Sequence, residues 1–249
     1  MSTFSPRDLS LAPTVSALGG PPRAAIDRIR TLGCRGIQLD ARAAGMRPSE
    51  LGESARRDLL ACVRRGNQVL SGIDFWIPLP AWSDTAVQQR AVDATRATIE
   101  LAADLERCPV SLLLPDPERH PELHEAVRRH AERFAVPLAD HTPGATDAAS
   151  APGVGVDPVG AFAGGGDPVE AVSRAGDRLV SARLADLDEV GQRVHAGQGR
   201  LDLVAYKVAL SLSPLQQLVV DLHHMSDPVA ALQAAVGAWD AAGPTTPGW

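Results

Sequence analysis

Short apolar runs alternate with stretches of helical periodicity along the chain, one pair about every 30 residues, the rhythm of strand–helix units feeding a parallel sheet. Eight runs read as strands: LSLAPTV (9–15), RGIQLD (35–40), QVLSGIDFW (68–76), PVSLLLP (109–115), VPLAD (136–140), GVGVD (153–157), RLVSARLAD (178–186) and QQLVVDL (216–222). Helical returns are predicted over residues 23–32, stopped by Gly33, and 54–65, ended by Gly66. A longer helix is capped by Ser83 or Asp84, with Val87, Ala91, Ala94, Thr98, Leu101 and Leu105 forming one stripe. A polar helix covers 122–134, and its His124 and His130, with His120 before it, are expected in water. After the sixth strand, glycines at 164–166 split the return and Asp167-Pro168 restarts it with a cap and a first-turn proline. Ser226-Asp227-Pro228 opens the last helix, whose apolar face is Val229, Leu232, Val236 and Trp239. Between the fifth and sixth strands, HTPGATDAASAPG is too short for a helix and two turns, so the fifth helix is expected to be short or missing.

Eight strands with returns, and no composition shift that would mark a linker, predict an α/β fold: a single (β/α)8 TIM barrel over residues 1–249, with about 241–249 as a loose tail. The length of 249 residues and an apolar share of 45% supply the core such a barrel needs. The net charge of −6 argues against a nucleic-acid surface, which needs Lys and Arg to neutralise phosphates. Cys34, Cys62 and Cys108 are odd in number and outside CxxC spacing, which speaks against a disulfide framework or structural zinc and for a cytoplasmic location. The first twenty residues lack a signal-peptide pattern, and no run of 18 apolar residues predicts a membrane span.

In such barrels the active residues sit at the C-terminal ends of the strands. Those ends carry Asp40, Asp74, Asp140, Asp157, Asp186 and Asp221, with His141 after Asp140 and His223-His224 after Asp221. Carboxylates gathered at one mouth repel unless a cation or protons compensate, and hard cations such as Mg²⁺ or Mn²⁺ suit oxygen ligands. Structural roles compete with this reading: Asp157 before Pro158 is also a helix cap, Asp40 can pair with Arg42 or another basic group, and Asp74 can point sideways.

Across nearly the whole chain, TLGCRGIQLDAR, ATIELAADL, GVGVDP and RLADLDEVGQRVHAGQGRLDL resemble the sugar phosphate isomerase/epimerase family of xylose isomerase-like barrels, the superfamily that includes endonuclease-IV-type folds. The last segment is similar to the family's seventh strand ending His-x-x-Asp, followed by a Gly-x-Gly loop. The resemblance implies four metal ligands at strand ends, which fall on Asp140, Asp157, Arg183 and Asp221, with the first and last also acting as the acid/base pair that moves a proton between adjacent carbons. Only Asp157 matches in type. Asp140 and Asp221 stand where the family has glutamate, one carbon–carbon bond (about 1.5 Å) longer, and Gly160 replaces a histidine. Arg183 replaces the histidine ligand, and guanidinium neither deprotonates nor ligates metal. Either it points inward and pairs with Asp140, Asp157 or Asp221, or it points outward with Ser181 and Leu184 nearby.

Two functions follow. One is a Mn- or Mg-dependent isomerase or epimerase of a small sugar, sugar phosphate or polyol. Its catalytic residues are Asp140 and Asp221, its metal ligands Asp140, Asp157 and Asp221 with His141 or His223, and its substrate-binding residues Asp40, Arg183, Asp186, Arg193, Gly197 and Gly199. The other is a metal-free barrel that binds a sugar, an anionic ligand or a protein partner. Oligomerisation, with the tail ending in Trp249 contributing, is compatible with either.

Overall fold

Parallel strands buried on both faces read as apolar runs, and the computed structural model, which describes residues 9–146 and 153–243, forms them at the eight expected places. They are β1 (Ser10–Pro13), β2 (Gly36–Asp40), β3 (Val69–Asp74), β4 (Val110–Leu112), β5 (Leu138–Asp140), β6 (Val154–Val156), β7 (Leu179–Leu184) and, last in the barrel, β10 (Gln217–Val220). All pair in parallel in the order β1-β10-β7-β6-β5-β4-β3-β2. A single bridge between Thr14 and Gln38 joins the two ends into a nearly closed barrel. The seventh run is shorter than expected: Asp186–Leu187 leaves it as β8 and pairs antiparallel with β9, Arg193–Val194.

Among the described residues, eight helices surround the strands: α1 (Pro22–Thr31), α2 (Glu53–Arg65), α3 (Gln88–Asp104), α4 (Pro121–Phe134), α5 (Pro158–Ala163), α6 (Pro168–Ala175), α7 (Leu203–Ser211) and α8 (Pro228–Ala241). None is long and apolar enough to cross a membrane. The split return after β6 forms as expected, with Asp157 and Asp167 capping α5 and α6 through the N–H groups of Val159 and Val169. Residues 142–146 form turns and no helix; the remainder of the expected gap, 147–152, lies outside the described residues, as do 244–249 of the tail.

Two helical expectations need correction. Ser83 closes the short 3-10 turn Leu79–Trp82; Asp84 caps the turn that leads into α3 through the Ala86 N–H at 2.9 Å, and α3 itself begins later than expected, after Val87. Its buried stripe runs through Ala91, Thr95, Thr98, Leu101 and Ala102, while Ala94 is exposed. Thr95 and Thr98 are admitted to the core because each hydroxyl bonds the carbonyl four residues back, at 2.8 and 2.9 Å, leaving its methyl to pack. His124, expected in water, is buried on the inner face of α4 with Val127 and Ala131.

The apolar core lies between strands and helices, through Ile37, Leu39, Ile73, Val110 and Leu112 against Ile26, Ile29, Ile99 and Leu101. Alternation then turns Gln38, Asp74, Ser111, Ser181 and Arg183 to the other face, where they are buried and touch one another. The barrel interior is thus a polar network, and this determines what the mouth above it can be.

Candidate functional site

Arg183 is the centre of that network. Sheet order sets β3 and β7 opposite each other, and the Arg183 guanidinium crosses the interior to hydrogen-bond Asp74 Oδ1. Asp74 Oδ1 also accepts from Gln38 Nε2 at 2.7 Å, and Gln38 Oε1 accepts from Ser71 Oγ at 2.5 Å. The guanidinium lies over the Trp76 ring, 4.6 Å from its centroid, and 3.8 Å from Asp221 Oδ2. Its side chain is 1% exposed. Burial opposes its charge, but Asp74, Asp221 and Asp157 outweigh burial and hold it protonated. Burial likewise pushes the Asp74 carboxyl up, against Arg183 and Gln38. Of the orientations the sequence left open, Arg183 takes the inward one, with Asp74, outside the expected trio, as its closest partner.

Asp221, just past β10, is saturated. Its Oδ2 accepts from Arg193 Nη2 at 2.9 Å, and its Oδ1 takes the His223 backbone N–H at 3.0 Å and His223 Nδ1 at 2.9 Å. Burial works against its charge, yet His223, Arg183 and Arg193 hold the carboxyl far below the ordinary range. The hydrogen bond to Asp221 raises His223 in turn. His223 Nε2 faces Ser16 Oγ at 2.9 Å and Asp40 Oδ2 at 3.9 Å. Asp157 caps α5 through Val159 N at 3.0 Å, and burial raises its carboxyl. These groups meet at a cavity of about 630 Å³ lined by Ser16, Asp40, Arg42, Asp157, Arg193, Asp221 and His223, with Trp76 on its wall.

The remaining candidates lie elsewhere. Asp140 Oδ1 accepts the N–H groups of Leu114 and Thr142 at 3.2 and 2.9 Å, bracing the turns after β4 and β5, and it borders a different cavity, beside Trp82 and His120. Asp186 receives four backbone N–H groups: Leu187 at 2.9 Å and Leu201 at 3.0 Å on Oδ1, Gly197 at 3.1 Å and Gly199 at 3.0 Å on Oδ2. The Gly197 and Gly199 donors, expected to hold substrate oxygens, are therefore spent on the loop itself. Gly197 has φ +81°, and a side chain at Gly199 would strike Leu187 O and Asp186. Sequence reasoning missed Ser16, Gln38 and Trp76. Trp76 stands two residues beyond an acidic strand end, a detectable cue, but nothing local marks Ser16 or Gln38.

The ring of His141 packs against Gly155, where any Cβ would collide with it, and edge-on to Trp76 with centroids 5.0 Å apart. Both ring nitrogens are buried without partners. Burial, then Arg183, depress its basicity well below the usual value. The unfolded chain therefore binds a proton at His141 below pH about 6.5 that the folded chain refuses, and stability falls by about 1.4 kcal/mol per pH unit from there down to the folded-state value. His223 acts oppositely: raised in the fold, its contribution is complete below its unfolded value and is lost as pH rises through its folded one. Urea unfolding of His141→Phe against the unchanged chain from pH 7.5 to 5 should show the acid-side slope reduced in the variant, so that the variant gains stability relative to the unchanged chain as pH falls.

The residues do not fit the metal that the sequence resemblance implied. Among the described residues no group of three or more His, Cys, Asp or Glu is arranged around a metal-sized space. A fixed cation stands at the histidine position, Asp221 is committed to Arg193 and His223, and Asp140 faces its own turns.

No protein-family model matches the sequence, and no curated protein does. Solved structures match in shape. The xylose isomerase domain protein from Planctomyces limnophilus superposes with a TM-score of 0.71 at 15% identity, covering 95% of this chain and 97% of that one. An L-ribulose 3-epimerase reaches 0.73 at 14% identity, covering 94% and 96%.

The chain has the xylose isomerase-like TIM-barrel fold.

The probable 3-DHS dehydratase AsbF of Bacillus anthracis, involved in petrobactin synthesis, shares this barrel at a TM-score of 0.72 and 10% identity, over 93% of this chain and 99% of that chain. A xylose isomerase domain protein, an L-ribulose 3-epimerase and a probable dehydratase thus share one barrel shape, so the shape alone does not fix the chemistry, which is decided by the residues at the mouth.

Proposed function

We propose that this chain is a sugar- or polyol-binding barrel of the isomerase/epimerase type, working on a small polyhydroxylated or anionic ligand without a divalent metal at its centre. The observation that carries the reading is the buried Arg183 guanidinium, bonded to Asp74 and facing Asp221, at the position of the implied metal ligand. The mouth suits such a ligand. Asp40 and Asp157 offer acceptors for hydroxyl groups, Arg42 and Arg193 offer donors and positive charge, and Trp76 supplies an aromatic wall. His223, held by Asp221, and Asp157 are the wall groups suited to exchange a proton with a bound sugar.

Metal loading tests this. After incubation with excess Mn²⁺ and removal of free metal, the protein should retain well below one equivalent and show no rise in melting temperature, since a ligand that binds only the folded state must stabilise it. Retention of about one equivalent with a clear thermal shift would overturn the reading. Thermal shift with a panel of aldoses, ketoses, sugar acids and sugar phosphates should find a stabilising ligand whose effect is lost in Arg193→Ala. Arg183→His removes the resident cation, and in this framework it should raise Mn²⁺ retention above that of the unchanged chain.

A further inference from the structure

Three side chains at the mouth form a connected relay. Ser16 Oγ lies 2.9 Å from His223 Nε2, and His223 Nδ1 lies 2.9 Å from Asp221 Oδ1. We propose that Ser16, His223 and Asp221 are a nucleophile, a general base and its positioning carboxylate, and that the barrel mouth hydrolyses a small carboxylic ester by way of an acyl-Ser16 intermediate.

Such sites are recognised by geometry and not by chain order: a hydroxyl and a base within hydrogen-bond reach, with the base oriented by a third group on its other nitrogen. Every part is present. Ser16 sits in the 3-10 turn Val15–Leu18 that follows β1, and it is partly exposed and borders the cavity. The His223 side chain is 29% exposed, open enough to exchange protons with a bound molecule, while that of Asp221 is 7% exposed and anchored from behind by Arg193. Asp221 also binds the His223 backbone N–H, so the imidazole is clamped at two points. Asp40 Oδ2, the other group facing Nε2, stands 3.9 Å away, which leaves the serine as the direct partner. A second serine–histidine contact, Ser83 Oγ to His120 Nε2 at 2.9 Å, has no carboxylate on the histidine among the described residues. The cavity also holds Arg42 and Arg193, whose guanidinium groups have N–H donors beyond those bonded to Trp76 O and Asp221.

The reaction closes without any further reagent but water. Ser16 Oγ attacks the ester carbonyl carbon as its proton passes to His223 Nε2. The carbonyl electron pair moves to oxygen, where the arginine charges stabilise it. Collapse of the tetrahedral centre breaks the bond to the alkoxy oxygen, which takes the proton from His223 and leaves as the alcohol. Water then attacks the acyl-Ser16 carbonyl with His223 again accepting the proton, and the second collapse returns that proton to Ser16 Oγ and frees the carboxylic acid. An alcohol half that is a polyol suits the polar wall; that clause alone rests on the sugar-binding reading above.

The test uses the full chain and a serine-directed sulfonyl fluoride, phenylmethylsulfonyl fluoride, with p-nitrophenyl acetate as the turnover probe. Peptide mapping of the treated protein is expected to place one sulfonyl adduct on Ser16. Ser16→Ala and His223→Ala are expected to lower p-nitrophenyl acetate turnover by about a hundredfold or more. Asp221→Asn should lower kcat more than KM is changed, which a purely structural loss would not do. Absence of the adduct, an adduct on another serine, or undiminished turnover by Ser16→Ala would each overturn the proposal. The adduct map needs no variant, so it decides even where a substitution prevents folding. Sugar-dependent thermal shift measured on Ser16→Ala reports separately on the ligand-binding reading.

Discussion

Replacing Arg183 with methionine is expected to destabilise the fold by about 3–5 kcal/mol, because it strips the counter-ion from a carboxyl with no water to turn to. The Asp74 side chain is fully buried, and its Oδ2 already has no hydrogen-bond partner. Methionine fills similar volume, so the loss is electrostatic and not a cavity effect. The Trp76 contact at 4.6 Å disappears with the charge, adding a smaller term of about 1 kcal/mol. Adding Asp74→Asn to Arg183→Met should recover more than half of the loss: the buried charge is then gone, and the amide oxygen still accepts from Gln38. Urea unfolding of the two single variants and the double variant measures this coupling directly. Near-additive single effects would show that Asp74 does not depend on Arg183.

Asp186→Ala should produce the second large effect, about 2–4 kcal/mol, with the loss centred on the segment from Leu187 to Leu201. One carboxylate there satisfies four backbone donors. Each donor left unmet costs about 1–3 kcal/mol when buried; the sum is not reached because the loop can open and let water in. Asp186→Asn should cost less, since its amide oxygen still accepts from one side while its NH₂ faces the other two donors. Hydrogen exchange is the discriminating measurement. The amides of Gly197, Gly199 and Leu201 should lose protection in Asp186→Ala, and in Asp186→Asn only those that face the NH₂, while those of β7 keep theirs. Equal loss along β7 would mean that Asp186 holds the barrel and not the loop.

The fold was legible because its signal is repeated. Each strand has its own apolar run, so small errors in one unit do not alter the count. Capping aspartates such as Asp157 and Asp167 were readable because a cap acts on a backbone N–H two residues away. The late start of α3 and the burial of His124 were not readable, because both depend on what packs against them. Ala94 illustrates the same limit: a threonine that satisfies its own hydroxyl outcompetes alanine for the inner face, a choice made by the surface it meets.

At the mouth the division is sharper. The sequence by itself determined that acids stand at the strand ends, that the chain closes a barrel around them, and that a guanidinium replaces the expected histidine. The first two are matters of local periodicity and residue type, and the third is what the family resemblance implies. Only the tertiary structure decided the pairings. Arg183 and Asp74 are 109 positions apart and Ser16 and His223 are 207 apart, and each pair meets because barrel closure brings distant strand ends around one interior. Which acid neutralises the arginine, and which hydroxyl reaches the histidine, depends on side-chain direction within a twisted, closed sheet. No spacing along the chain encodes that direction across so many residues.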